Sequence, residues 1–216
     1  MLKSLIHRAL LAWRRVQGKP FVTRAAAAKL PTEYGEFDIV AYEDSVDRLT
    51  HVALVHGDLG SGENVIVRVH SSCVTGDIFH SARCDCGPQL DTAMRRIVTE
   101  GRGVLLYLNQ EGRGIGLANK IRAYSLQDEG FDTVEANERL GFPADSREYG
   151  VSVRMLVDLG VRSVRLLSNN PRKLAGVSGD GLSVSERIPL EIPASIHTRR
   201  YLKTKKDKLG HELTSV

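Results

Sequence analysis

Apolar side chains alternate or cluster in three short stretches early in the chain, 37–44, 51–57 and 64–70, with polar or glycine-containing turns between them. That pattern predicts three successive strands. The cysteine-bearing stretch that follows leads into 88–101, where Leu90, Ala93, Met94, Ile97 and Val98 recur at helical spacing. Pro88 opens this helix and Gly101 follows its end, as the asymmetry of helix termini requires. Residues 103–109 form a continuous apolar run of the buried-strand type. A second helix is predicted over 117–130, with Leu117, Ile121 and Tyr124 on one face.

Residues 131–149 are rich in Asn, Gly, Pro and Asp and are expected to be loop. Beyond them the pattern predicts a helix over 151–160, a strand over 162–168 and a turn at 169–173. The chain closes with 182–190 and a basic tail expected to be helical. Strands alternating with helices in the second half, after strands in the first, predict an α/β fold. The expectation is a mixed sheet with flanking helices in a single domain, over 25–195. Basic extensions at 1–24 and 196–216 would flank it.

Composition narrows the class. With 216 residues, 42% hydrophobic and 26% charged, the chain is in the globular range. No apolar run approaches the ~20 residues that span a bilayer. The apolar N-terminal segment is interrupted by His7, Arg8, Arg14 and Arg15, unlike the uncharged stretch of a secretory signal, so a cytoplasmic protein is expected. The net charge of +4 is uneven: residues 1–32 hold seven Lys/Arg and no acid, and 193–216 hold six against two. The intervening body is acidic, at −7. A nucleic-acid-binding domain would carry its basic stripe on the body, so neither nucleic acid nor membrane is expected as a partner.

The three cysteines, Cys73, Cys84 and Cys86, fall within fourteen residues. A disulfide does not suit a cytoplasmic chain, and three thiols cannot all pair. Inert buried thiols are one reading; a soft-metal site is the other, since thiolates select zinc over magnesium or calcium. A structural zinc site takes four protein ligands and a catalytic one three. His70 or His80 could supply a fourth, so spacing leaves open and closed sites both available. The stretch 110–116, QEGRGIG, has Leu117 where a dinucleotide-binding loop needs its third glycine. Its Arg113, flanked by Gly112 and Gly114, is placed to fork onto an anion. With Arg68 and Lys173 at other strand ends, it suggests a polyanionic ligand. Asp145 and Arg147 lie two apart in a polar stretch, where a surface ion pair is the plain reading.

Four stretches together, RVHSSCVTGDIFHSARCDCGPQL, YLNQEGRGIGLANKIRAYSLQD, DTVEANERLGF and LLSNNPRK, resemble the successive signatures of GTP cyclohydrolase II. The resemblance runs in order from about Leu30 to Ile192. It implies an enzyme that opens the imidazole ring of GTP at C8, releasing formate and pyrophosphate, as the first step of riboflavin synthesis. Zinc would be held by Cys73, Cys84 and Cys86 with water in the fourth position, and Mg2+ would accompany the triphosphate. The resemblance implies that Arg68, Glu111, Gly112, Arg113, Thr133, Ser168 and Lys173 bind the nucleotide and that Gln89 reads the base. It implies Tyr124 in ring opening, Asp145 as proton acceptor and Arg147 as nucleophile towards the α-phosphate. A guanidinium with a pKa above ~12 is better suited to stabilising phosphoryl charge. A homodimer is implied as well. Two departures stand out: Ser72 where the family usually has Glu, and Ser168 where it usually has Thr. The first leaves a paralogue with an incomplete product set as an alternative; a nucleotide-binding module with a structural zinc is another.

Overall fold

The computed structural model describes residues 21–216, so most of the expected N-terminal extension, 1–24, lies outside the described residues. Among the described residues seven strands form one sheet: β1 (Val22–Pro31), β2 (Glu36–Asp44), β3 (Thr50–His56), β4 (Val65–Ser71), β5 (Gly103–Leu108), β6 (Ser163–Leu167) and β7 (Ser183–Ile188). Their spatial order is β1-β2-β3-β5-β4-β6-β7. The first three pair antiparallel and β3 joins β5 antiparallel, whereas β5, β4, β6 and β7 run parallel. Helices lie between the parallel strands because a parallel return needs a crossover. The molecule is thus the single α/β domain with a mixed sheet that the pattern predicted.

The period of the strand decides what each face carries. In β4 every residue from Val65 to His70 is buried, and alternation sends Val65, Val67 and Val69 into one core. That core also takes Val104, Leu106, Val164 and Leu166, under the helix α5 (Gly150–Asp158) with its Met155 and Leu156. Ile66 faces the opposite core with Leu105 and Leu167. There the helix α2 (Cys86–Glu100) packs Ala93, Met94 and Ile97. Ile97 is fully buried, worth ~1.5–3 kcal/mol in transfer free energy. Arg68 and His70 follow Ile66 on this face, at the C-terminal end of a parallel strand, where open α/β sheets bind ligands.

Two helices, and the buried face of a third, differ from the sequence expectation. The stretch expected to be loop contains the helix α4 (Thr133–Arg139), started by a reciprocal capping box between Asp132 and Glu135. The expected turn at 169–173 opens the short helix α6 (Pro171–Gly176), with the Asn170 side chain accepting from Arg172 N. The helix α3 (Leu117–Asp128) forms as expected, but it leaves Leu117 and Ile121 exposed and buries Lys120 and Ala123. The basic tail is helical as α7 (Arg199–Asp207), and it buries Leu202 and Lys205. No helix among the described residues is long and apolar enough to cross a membrane.

Candidate active site

At the C-terminal ends of β4, β5 and β6 lies a cleft of about 1160 Å³, open to solvent. It is lined by all three cysteines and by Arg68, Gln89, Glu111, Gly112, Arg113, Tyr124, Thr133, Arg147, Ser168 and Lys173. The thiols meet because β4 delivers Cys73 to the start of α1 (Val74–Asp77) while Cys84 and Cys86 enter the N-terminus of α2. Their sulfurs lie within 4.8 Å of one another, with Cys73 and Cys84 Sγ 3.7 Å apart. Gly76 makes room: a Cβ there would fall 2.9 Å from Cys84 Sγ and 3.1 Å from Cys73 Sγ.

Three thiols in contact cannot ionise together unless a cation offsets their charge. Hydrogen bonds from Cys84 and Cys86 hold Cys73 well below the usual thiol range. The same contact with Cys73 pushes Cys84 up to about 11 and Cys86 well above its ordinary value. A soft donor set with this grouping fits zinc. Neither histidine closes the set: His70 turns Nε2 to Asp77 at 3.0 Å, and His80 is exposed. The sulfurs are therefore the whole ligand group found here among the described residues. Asp77 also accepts from Cys73 N and the Tyr107 hydroxyl, fixing the turn that presents Cys73.

The loop after β5 carries Gly112 and Arg113 at successive positive φ values of 60° and 59°. Gly112 has that freedom by nature; Arg113 adopts it at a steric cost, a strain that marks functional loops. Arg113 donates to Thr133 Oγ1 on α4 at 3.2 Å. Glu111 is committed elsewhere: it accepts from Val74 N at 2.7 Å and from Lys120 Nζ at 2.8 Å. Lys120 reaches Cys73 Sγ at 3.0 Å. Burial opposes its charge, yet these partners raise its pKa. Tyr124, one turn on, sits 3.1 Å from Thr75 Oγ1, and burial keeps its phenol protonated above the usual range.

On the opposite wall Asp145 grips Arg147 with both oxygens, at 2.9 and 2.7 Å. Burial alone would raise the Asp145 pKa; the hydrogen bonds and charge of Arg147 outweigh it and hold the carboxyl below its ordinary value. Arg68 donates to Leu167 O and Gln89 Oε1, and burial lowers it to about 10. Lys173 donates to Val69 O, and burial with nearby Arg68 and Arg147 drives it well below a normal lysine. Ser168 accepts from Asn170 N. Ser72 Oγ is buried with no hydrogen-bond partner among the described residues. Of the four cations Arg68, Arg113, Arg147 and Lys173, only Arg147 has a carboxylate partner among the described residues. Buried cations left without counter-charge are costly unless a ligand supplies it.

Sequence reasoning gave no site role to Lys120, Asp85, Tyr201, Lys205 or His211, all of which line the cleft. Asp85 was visible between Cys84 and Cys86; nothing local marked the others. Burial and neighbouring Lys205 and Lys173 lower His211 to about 3.

Three clustered thiols that could hold a metal, in one cleft with Arg68, Arg113 and Lys173, which have no carboxylate partner among the described residues, are the side-chain chemistry of an enzyme. The chain belongs to the GTP cyclohydrolase II family, a family of hydrolases, whose model matches residues 23–189. It is 57% identical over 212 residues to the riboflavin biosynthesis protein RibBA of Bacillus cereus, covering 98% of this chain and 53% of that protein. The proteins of the same name from Bacillus mycoides and Bacillus cytotoxicus are 56% and 55% identical over the same coverage. The chain spans about half the length of these curated relatives. A solved structure of RibBX, a two-domain 3,4-dihydroxy-2-butanone 4-phosphate synthase from A. baumannii, is similar over 85% of this chain and 44% of that one. Its TM-score is 0.45 at 23% identity.

Proposed function

We propose that the chain hydrolyses GTP, opening the guanine imidazole ring at C8. The products would be 2,5-diamino-6-ribosylamino-4(3H)-pyrimidinone 5′-phosphate, formate and pyrophosphate, the first step of riboflavin biosynthesis. The observation that carries the reading is the thiol triad in one cleft with Arg68, Arg113 and Lys173, none of which has a carboxylate partner among the described residues, on a chain of this family. Cys73, Cys84 and Cys86 would hold zinc, which supplies Lewis acidity for hydrolysis when bound. Mg2+ would accompany the triphosphate, and the working form would be a cytoplasmic homodimer.

The residues divide the work by their chemistry. Arg113, Arg68 and Lys173 bind phosphate oxygens, and an anion there offsets both the burial and the neighbouring charges that lower Lys173. Gly112 lets the loop backbone approach the nucleotide, with Thr133 and Ser168 offering hydroxyls. Gln89 contacts the base. Glu111 anchors the loop to the Cys73 turn through Val74 N. Tyr124 keeps its proton at neutral pH and so can donate it at the phenol oxygen. Arg147 stays charged beside Asp145 and stabilises charge on the α-phosphate rather than attacking it. Asp145, ionised and held by the backbone N–H and two guanidinium N–H groups of Arg147, orients Arg147; it accepts a proton only by giving up that grip.

The test is metal content against turnover. Purified chain should carry about one zinc and consume GTP, and Cys84→Ser or Cys86→Ser should lose both. Full activity in a metal-free preparation would contradict the proposal.

A further inference from the structure

The helix α7 and the residues after it form a wall of the cleft, through Tyr201, Lys205, His211 and Leu213. A tail serving only solubility leaves its lysines in water, as Lys203 and Lys206 are. Lys205 instead is buried, with Nζ 3.0 and 3.1 Å from the two oxygens of Asp85, whose side chain is 3% exposed. Asp85 also accepts from Gln89 Nε2, and Gln89 Oε1 accepts from Arg68 Nη2 at 2.6 Å.

A carboxylate only accepts and a guanidinium only donates, so this arrangement permits one orientation of the Gln89 amide. Flipped, the amide would set oxygen against carboxylate and NH2 against guanidinium. The second N–H and the second lone pair remain for one edge of a ligand. The Asp85 carboxylate can do this only while it is held in place, and Lys205 is the cation that holds it.

We propose that Lys205 is a positioning residue for base recognition: through Asp85 it fixes the Gln89 amide, so the C-terminal helix sets which purine the cleft accepts. This rests on the reading of Gln89 as the base contact. The step is one of orientation, with no bond made or broken.

The experiment uses the full zinc-loaded chain and compares kcat and KM for GTP with those for 2,6-diaminopurine riboside triphosphate, which keeps the 2-amino group but reverses guanine's O6 acceptor and N1–H donor. Lys205→Met should cut the preference for GTP by about tenfold, mostly through KM, the loss expected from one misoriented hydrogen bond. Lys205→Arg, which keeps a cation there, should restore the preference. If Lys205→Met does not fold, the double variant Asp85→Asn with Lys205→Met leaves no lone buried charge. It should fold and lose the same preference, because a carboxamide at 85 accepts either orientation of Gln89. A folded variant that keeps the wild-type preference overturns the inference. So do equal losses for both nucleotides that Lys205→Arg fails to restore. Wild-type chain that neither binds nor converts either nucleotide would defeat the guanine-nucleotide reading itself, and the inference with it.

Discussion

Gly76→Ala separates metal binding from folding at a single methyl group. Gly76 sits in α1 without a positive φ, so its backbone suits alanine, and the change would ordinarily favour the helix by ~1 kcal/mol. The new Cβ, however, would lie 2.9 Å from Cys84 Sγ, 3.0 Å from Cys86 Cβ and 3.1 Å from Cys73 Sγ. The closest of these is roughly 0.6 Å inside the ~3.5 Å at which nonbonded heavy atoms begin to sit comfortably. All three neighbours belong to the ligand set, so relief must come from spreading the sulfurs. Overpacking of this kind costs ~1–3 kcal/mol, which leaves a net destabilisation of ~0–2 kcal/mol. Metal affinity should suffer more, by ~10-fold or greater, the scale seen when groups that orient ligands are disturbed. Competition against a chromophoric chelator measures the affinity, and urea unfolding of the metal-free protein measures the stability. Wild-type zinc affinity in Gly76→Ala would refute the placement of the metal among these sulfurs.

Arg113→Ala should weaken GTP binding far more than guanosine binding in calorimetry, since a guanidinium contributes mainly to a multiply charged anion; equal losses would move Arg113 out of the phosphate site. His211 should make stability depend on pH. Burial lowers its folded pKa to about 3, below the ~6.5 of the unfolded chain, so the unfolded state binds more protons between those values. Its contribution is therefore complete above ~6.5 and is lost on acidification, at up to ~1.4 kcal/mol per pH unit, and His211→Gln should flatten that slope in denaturant titrations at pH 7 and 5. Ser72→Glu places a carboxylate beside Cys73, where the serine hydroxyl has no partner among the described residues. It should change rate or GTP affinity by ~10–100-fold while leaving the products the same; a changed product set would favour the paralogue reading.

What the sequence disclosed follows from range. Strands β2 to β5 and the helix α2 were legible because their apolar period answers to the core they pack against. The thiol triad was legible because cysteines are scarce and closely spaced, and soft-metal chemistry narrows their use. The edge strand β1 was not, since residues 23–29 are exposed and four successive alanines show no alternation. The helix α4 was hidden by its polar composition, although Asp132 and Glu135 carried a capping signal. Lys120 and Lys205 read as surface charges, because their burial depends on partners elsewhere. Lys120 needs Glu111 and Cys73, and Lys205 needs Asp85, 120 residues away. Charge-pair burial is a property of the assembled cleft, and no local period encodes it. The face of α3 was misleading for the same reason: Lys120 points inward because its partners are there, which leaves Leu117 and Ile121 outside.

The most direct test of the central claim is the stoichiometry of products. Zinc-loaded chain incubated with GTP and Mg2+ should yield the diaminopyrimidine 5′-phosphate, formate and pyrophosphate in equal amounts, identified by mass and quantified over time. GTP left unconsumed, or a product that retains the formyl carbon, would contradict it.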